Sequence, residues 1–137
     1  MPNENSRNIQ DVLVNPVPFA MGAASASTNS TAIDLGADVY KPENIEFELS
    51  IPALATGIIP DASVVSLILE TSTVSNFASI EQTLTENVTG AGGVGIPATT
   101  ARFRIASDCP RYVRFKTTRG AGGTTAAGVN ATGTVRF

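Results

Sequence analysis

The chain of 137 residues contains no histidine, no tryptophan and a single cysteine, Cys109. The lack of histidine excludes a Ser-His-Asp triad, a Cys-His nucleophile pair and a histidine-ligated zinc site. One cysteine excludes an intrachain disulfide and a four-cysteine metal site. Cys109 also has no histidine to take its proton, as a cysteine nucleophile needs. We therefore expect a protein that is not an enzyme and that binds no cofactor or metal.

Charge is scarce as well: charged residues make up 15% of the chain, against about 25% in an average soluble protein. In their place the chain has 16 Thr, 11 Ser, 18 Ala and 12 Gly. A surface of small, uncharged side chains is expected where much of that surface faces other protein. A secreted β-domain can have the same composition, and we favour the assembly interpretation over it.

The few charges are unevenly distributed along the chain. Residues 1–101 contain two basic and eleven acidic residues, whereas residues 102–137 contain seven basic residues and one acidic residue. A basic segment can bind nucleic acid, or it can neutralise the acidic segment within one fold or between subunits. The overall charge of −3 and the pI of about 4.8 disfavour nucleic acid, because the whole molecule repels phosphate.

Neither a signal peptide nor a membrane span is expected. The first ten residues contain no basic region that leads into an apolar run. The longest uncharged stretch, from Val12 to Ile33, is interrupted by prolines, asparagines and many hydroxyl side chains. These observations indicate a protein that is made in, and stays in, a reducing compartment.

Hydrophobic periodicity predicts strands, because no segment has a 3.6-residue period over ten residues while several alternate with period two. Residues 44–51 alternate most regularly, and residues 63–70 are apolar on both faces, as in a strand that is covered on each side. Gly-, Pro- and Asp-containing turns separate the runs. The predicted strands cover residues 31–36, 44–51, 63–70, 80–88 (with Ile80, Leu84 and Val88 inward), 101–106, 111–117 and 131–137.

Seven or eight short strands at this spacing predict an all-β fold, an antiparallel jelly-roll or β-sandwich. A parallel α/β fold is excluded, because there are no crossover helices to join its strands. Residues 1–28 are polar and interrupted by proline, and are predicted to form an extended N-terminal arm that orders on a partner. Residues 29–137 are predicted to form the sandwich domain.

Two motifs suggest chemistry that their surroundings do not support. Gly90–Gly95 matches the Gly-x-Gly-x-x-Gly pattern, but a strand follows it where a dinucleotide site needs a helix, so we interpret it as a loop. Glu46 and Glu48 lie on one face of the predicted 44–51 strand and suggest the carboxylate pair of a glycosidase. Catalytic carboxylates usually come from separate elements that flank a cleft, so a solvated or salt-bridged face is the favoured interpretation.

The C-terminal cations are predicted to gather on one hairpin. A turn at Ser107–Pro110 would pair strand 101–106 with strand 111–117, with apolar residues inward on both. The outward residues would then form one face with four cations and one tyrosine: Arg102, Arg104, Tyr112, Arg114 and Lys116.

Like charges on paired strands destabilise a sheet unless a surface of opposite charge covers them. That surface can be the Glu46 and Glu48 face, an acidic neighbouring subunit, or nucleic acid. A contact with protein is the favoured interpretation. We therefore take Glu46, Glu48 and the five residues of the predicted basic face as candidate protein-protein interface residues.

Two short motifs carry a resemblance to a known family. Thr28–Gly36 ends in Ile33-Asp34-Leu35-Gly36 after a Ser/Thr-rich stretch, and Pro110–Thr118 contains Arg111-Tyr112-Val113-Arg114 ahead of a Gly-rich loop and a terminal strand. This order resembles the small cement, or decoration, proteins of tailed-phage capsids that have a jelly-roll fold. The similarity covers residues 28–137. The polar arm of residues 1–27 and the Gly90–Gly95 loop are longer than in the shortest relatives.

The resemblance implies a viral structural protein on the outer surface of the virion, made in the host cytoplasm. It would bind the expanded phage head, bridge subunits of the major capsid protein and stabilise the shell against DNA pressure. The family implies a homo-oligomer, with a homodimer ahead of a homotrimer, and no direct contact with membrane or nucleic acid. The alternatives are a β-sandwich receptor- or carbohydrate-binding module of a phage fibre, and a nucleic-acid-binding β-barrel that uses Arg102, Arg104, Tyr112 and Arg114.

Overall fold

The computed structural model describes residues 16–37, 45–126 and 128–136. Within these ranges the chain forms nine strands and no helix. The strands are β1 (Val17–Ala20), β2 (Ser27–Asn29), β3 (Ile33–Asp34), β4 (Glu46–Ile51), β5 (Val64–Ser72), β6 (Gln82–Thr89), β7 (Thr99–Arg104), β8 (Tyr112–Arg119) and β9 (Asn130–Arg136).

The strands form two antiparallel sheets, which confirms the predicted all-β sandwich class. Sheet A has the order β1-β9-β4-β7, and sheet B has the order β2-β8-β5-β6, with β3 also paired to β8. Successive strands alternate between the sheets except at β2–β3 and at the β5–β6 hairpin. Most neighbours in a sheet are therefore distant in sequence.

The core lies between the sheets and follows the period-two pattern of the strands. In β4, the inward side chains of Phe47 and Leu49 are fully buried, as the alternation predicts. Phe47 meets Phe115 of β8 edge to face, with ring centroids 6.3 Å apart. Along β5 even the outward Ile68 is buried, which confirms the prediction of a strand covered on both faces. Burial of this apolar face stabilises the two sheets against each other.

The predicted N-terminal arm is wrong for the part of it that the structure describes. Residues 17–20 form β1 at the edge of sheet A and pair with β9, and residues 27–29 form β2 beside β8. The side chains of Phe19 and Met21 are buried in the core, which explains why this segment does not stay apart from the domain. Residues 1–15 of the predicted arm lie outside the described residues.

The predicted hairpin of strands 101–106 and 111–117 is also wrong. β7 pairs with β4 in sheet A, while β8 pairs with β5 and the short N-terminal strands in sheet B. The turn at Ser107–Pro110 therefore belongs to a connection that crosses from one sheet to the other. Each sheet turns its own inner face to the core, so the predicted basic face is divided between opposite sides of the molecule.

Two smaller predictions have different outcomes. Residues 90–95 form a loop between β6 and β7, as predicted, and Gly95 takes a φ of +80° before Ile96 bridges to Leu54. Ile80, predicted to face inward, lies before β6 and is exposed. Leu84 and Val88 do pack against the core.

Candidate interaction surface

The outer side of sheet A carries a group of five charged residues, which we call the arginine face. It consists of Glu46 and Glu48 on β4, Arg102 and Arg104 on β7, and Arg136 on β9. Because β4 lies between β7 and β9, its carboxylates lie between arginines on both sides. Glu46 is directly opposite Arg104 on one neighbour and Arg136 on the other, and Glu48 is opposite Arg102. Alternation along the strands places all five side chains outward.

Ion pairs connect these residues within one subunit. Arg104 donates from Nε and Nη2 to Glu46 Oε2, at 3.2 and 3.1 Å. Arg102 Nε lies 3.2 Å from Glu48 Oε1 and 3.8 Å from Glu46 Oε1. Arg136 Nε reaches diagonally to Glu48 Oε2, at 2.8 Å. The acidic β4 and the basic β7 therefore pair within one subunit, whereas the sequence left open whether the opposite charges meet within one fold or between subunits.

The arginines remain accessible although they are paired. Their side chains are between 63% and 75% exposed, whereas the two glutamates beneath them are largely covered. A guanidinium has five N–H donors, and each of these arginines uses only one or two of them on the carboxylates. Three arginines over two glutamates leave one positive charge on the face. The arrangement leaves fixed, partly unused donors at the surface, which acidic or carbonyl oxygens can accept.

The other predicted cations lie on sheet B in a more enclosed setting, which we call the Glu70 cluster: Glu70, Phe77, Arg114 and Lys116. Arg114 donates to Glu70 Oε2 at 2.7 Å from Nε, and Lys116 Nζ lies 3.0 Å from Glu70 Oε1. The guanidinium of Arg114 also stacks 4.4 Å from the centroid of the Phe77 ring. The two cations are only 19% and 25% exposed. This cluster therefore ties a loop to the sheet, and it offers little to a partner.

The segment that joins β5 to β6, residues 73–81, covers the Glu70 cluster. Ser72 Oγ donates to the carbonyl of Ser79 at 2.6 Å, which holds the segment across the outer side of sheet B. Phe77 is buried there at a φ of +54°, in the left-handed region that a non-glycine residue seldom occupies. The ring of Phe77 and the carboxylate of Glu70 thus hold Arg114 from two directions.

Tyr112, the last of the predicted interface residues, lies at the β3 edge of sheet B. It is half-buried and lies opposite Asp34, with the guanidinium of Arg111 5.2 Å from its ring centroid. Arg111 donates to both oxygens of Asp34, at 2.8 and 2.7 Å. These hydrogen bonds to Asp34 raise the pKa of Arg111 above its ordinary value.

Arg119 is an inward cation whose environment the sequence reasoning missed. It is fully buried and donates to the carbonyls of Gly22, Ile58 and Thr124, each within 2.8 Å. Its Nε has no hydrogen-bond partner among the described residues. Burial lowers the pKa of Arg119, because the charged form loses water. The residue joins three loops at one end of the sandwich.

The structure thus separates the seven candidate residues into two groups. It brings together Glu46, Glu48, Arg102 and Arg104, and it adds Arg136, whose outward position the alternation along residues 131–137 indicates. It places Arg114, Lys116 and Tyr112 on the other sheet. Glu70 was also missed, although a lone acid at the end of an apolar strand is a signal that a cation must lie nearby.

The described residues contain few other features of a binding site. A shallow depression of about 450 Å³ is lined by residues 60–64 and 120–122. No three acidic or cysteine side chains in the described ranges come together as a metal site would need. The same ranges contain no helix that is long and apolar enough to cross a membrane.

Comparison with known proteins adds no relative: no family model matches the chain, and no curated protein is significantly similar to it.

Proposed function

We propose that this protein is a capsid decoration (cement) protein, which binds the outer surface of the expanded head of a tailed phage. One observation carries the proposal: the two motifs of the resemblance are neighbours in space. Ile33 and Asp34 of β3 lie opposite Val113 and Tyr112 of β8, and the Asp34–Arg111 ion pair measures 2.7 Å. Residues far apart in the sequence therefore form one structural unit, which is expected if both belong to a single family signature.

The strand order supports a jelly-roll interpretation of the sandwich. If β2 and β3 are counted as one interrupted strand, each sheet has four strands, in the orders β1-β9-β4-β7 and β2/β3-β8-β5-β6. Two such sheets with strands that alternate between them are the arrangement of a jelly roll, which recurs in viral capsid proteins and in lectins. The fold alone does not assign a function.

The arginine face is the surface that we propose for the contact with the capsid. Its arginines are exposed and are held in place by the glutamates, so little side-chain entropy is lost when they bind. Around them the same side of sheet A carries small polar groups such as Ser50 and Thr100, which are hydrogen-bonded to each other at 2.8 Å. Such a surface suits a broad, polar contact with the acidic part of a shell subunit.

Binding at this surface would stabilise the shell by mass action. A ligand that binds only the expanded lattice stabilises it by RT ln(1 + [L]/Kd) at each site. A copy that bridges two capsid subunits adds to this effect, since separation of the subunits would break its contact with one of them. Many weak contacts over a closed shell can therefore oppose the pressure of packaged DNA.

The same geometry weighs against the two alternative functions. The exposed arginines already neutralise carboxylates, so fewer counterions would be released from nucleic acid than the sequence suggests. Carbohydrate binding usually relies on exposed aromatic rings. Among the described aromatic side chains, only Tyr112 is not buried, and Arg111 covers its ring.

The proposal is tested by co-sedimentation with phage heads from the same source as the chain. We expect binding to expanded heads, none to unexpanded procapsids, and a weaker interaction at high salt. Arg104→Gln should weaken binding, whereas Thr125→Asp, which changes the net charge equally in an exposed loop, should not. The function is refuted if the wild-type protein binds neither form. If it binds and Arg104→Gln has no effect, another surface makes the contact.

A further inference from the structure

The strands at the edges of the two sheets differ in how well they are protected from pairing with another chain. β1 contains Pro18, which lacks a donor, and β2 and β3 are only three and two residues long. β7 carries the exposed Arg102 and Arg104. β6 has eight residues, no proline and a single charge, Glu86. β6 is therefore the least protected edge in the described part of the chain.

The free side of β6 has the features of a strand that accepts a partner. It pairs with β5 along its whole length, and its other side has no strand partner among the described residues. Most of its side chains are exposed, and its two larger apolar residues, Leu84 and Val88, are only half-buried. Unpaired backbone N–H and C=O groups along such a strand can extend a hydrogen-bonded ladder.

We infer that two copies of this protein associate through β6, antiparallel to each other, with a twofold axis at Thr85. In an antiparallel pair, opposite residues point to the same side of the sheet. A twofold axis between two copies of one strand must therefore lie where a residue faces the same residue of the partner. An axis at Thr85 joins the two five-stranded sheets B into one continuous sheet. The strand is complementary to itself in this register.

The side chains of β6 favour this register on both sides of the sheet. On the outer side, Thr85 faces Thr85 of the partner subunit, and Thr83 faces Asn87 of the partner subunit, which pairs hydroxyl and amide groups. On the inner side, Leu84 is a diagonal neighbour of the partner's Leu84 and the partner's Val88. The half-buried apolar residues of the two copies would thus cover each other.

The register with the twofold axis at Glu86 is excluded by charge. An axis at Glu86 would place Glu86 opposite the partner's Glu86, on the side of the sheet that faces the cores. Two carboxylates that are opposite each other and partly desolvated repel each other at neutral pH. With the axis at Thr85, Glu86 lies opposite the partner's Leu84, where its methylene groups can cover that side chain.

Disulfide trapping in the full chain tests the position of the axis. Thr85→Cys should form a covalent dimer under mild oxidation, because the Cβ atoms of opposite residues in a ladder lie about 4.5–5.5 Å apart, and a small shift of the strands brings them to disulfide distance. Thr89→Cys should not form one. Position 89 lies four residues from the axis, so the two copies are eight residues apart along the sheet, about 27 Å. The wild-type protein is the control for crosslinking through its own buried Cys109. Crosslinking of Glu86→Cys in preference to Thr85→Cys, or equal rates for Thr85→Cys and Thr89→Cys, would overturn the proposal.

Sedimentation equilibrium provides a second test that does not depend on crosslinking. Thr85→Lys places two lysines opposite each other and should weaken dimerisation roughly two- to fivefold. Thr83→Lys faces Asn87 of the partner subunit and should have a smaller effect. Thermal denaturation of each variant verifies that the fold is intact. A wild-type protein that stays monomeric at millimolar concentration, or equal weakening by both lysines, would overturn the proposal.

These experiments use the isolated protein and no phage heads. Dimerisation through β6 can therefore fail while capsid binding through the arginine face is retained, and the reverse also holds. The two surfaces lie on different sheets, so a dimer would leave both arginine faces accessible.

Discussion

The ring of Phe115 lies directly against the backbone of Gly133, where sheet B packs on sheet A. A Cβ atom at position 133 would lie 2.2 Å from Cδ2 and 2.3 Å from Cε2 of the ring. Phe115 is fully buried and packs edge to face on Phe47, so it has little room to move aside. Glycine is needed at this position because of the space, since its φ is not positive.

Gly133→Ala is therefore expected to lower the free energy of unfolding by about 1–3 kcal/mol, as an overpacked core does. Chemical denaturation measures the change. Gly57→Ala is the matched control, because a Cβ there would meet no atom within 4 Å. Phe115→Leu in the Gly133→Ala background should cost less than Phe115→Leu alone. Equal stability of Gly133→Ala and the wild-type protein would contradict the packing described here.

Arg119→Met is expected to lower the free energy of unfolding by about 3 kcal/mol, because three buried carbonyl groups lose their donor. The carbonyls belong to Gly22, Ile58 and Thr124. Arg102→Met is the control: its arginine is mostly exposed, and exposed ion pairs contribute at most about 1 kcal/mol. Similar losses for the two variants in urea denaturation would contradict the role of Arg119.

Glu70→Gln and Glu46→Gln compare the same substitution in two environments. Glu70→Gln leaves Arg114 and Lys116 enclosed without their carboxylate, and we expect a loss of about 2–3 kcal/mol. Glu46→Gln removes pairs with exposed arginines, and we expect a loss below about 1 kcal/mol. The denaturation curves should be recorded at low and at high salt. Salt should abolish the smaller effect and leave most of the larger one, so equal salt sensitivity would contradict the assignment.

Phe19→Ala tests the position of the N-terminal strand. The side chain is buried in the core, so its loss should reduce stability by about 3 kcal/mol. Pro18→Ala changes an exposed neighbour in the same strand, and it is expected to have an effect within about 0.5 kcal/mol. If Phe19→Ala proved as stable as the wild-type protein, β1 would be dispensable and this segment would behave as an independent arm.

Period-two alternation predicted most of the strands and the faces of most of their residues, but it missed β1 and β2 and placed Ile80 inward. Residues 46–51 were assigned correctly, and Arg102 and Arg104 do face outward from the inward Phe103. The error concerned the sheet to which each strand belongs. Alternation describes one strand at a time and contains no information about its partner, so sequence neighbours were paired by default. A sandwich whose strands alternate between sheets violates that default at almost every connection.

The missed residues have a common physical origin. Glu70 and Arg119 are charges at inward or covered positions of strands, and a short pattern search treats charged residues as exposed. Alternation from Val113 and Phe115 extends to Arg119 and places it inward, so the sequence did contain the signal. The loop that covers Glu70 has no periodic pattern of its own. Its position depends on tertiary contacts such as the Phe77 ring against Arg114.

The pairing of β1 with β9 has a consequence for the order of events during synthesis. Val17 lies opposite Gly133, so the first described strand has to wait for the last one to leave the ribosome. β4 also waits, because it lies between β7 and β9. Sheet A therefore cannot form before β9 has been made, and pairing between segments so far apart in the sequence is slow. Until β9 has been made, the nascent chain therefore cannot complete sheet A, and its apolar face stays open to aggregation during that time.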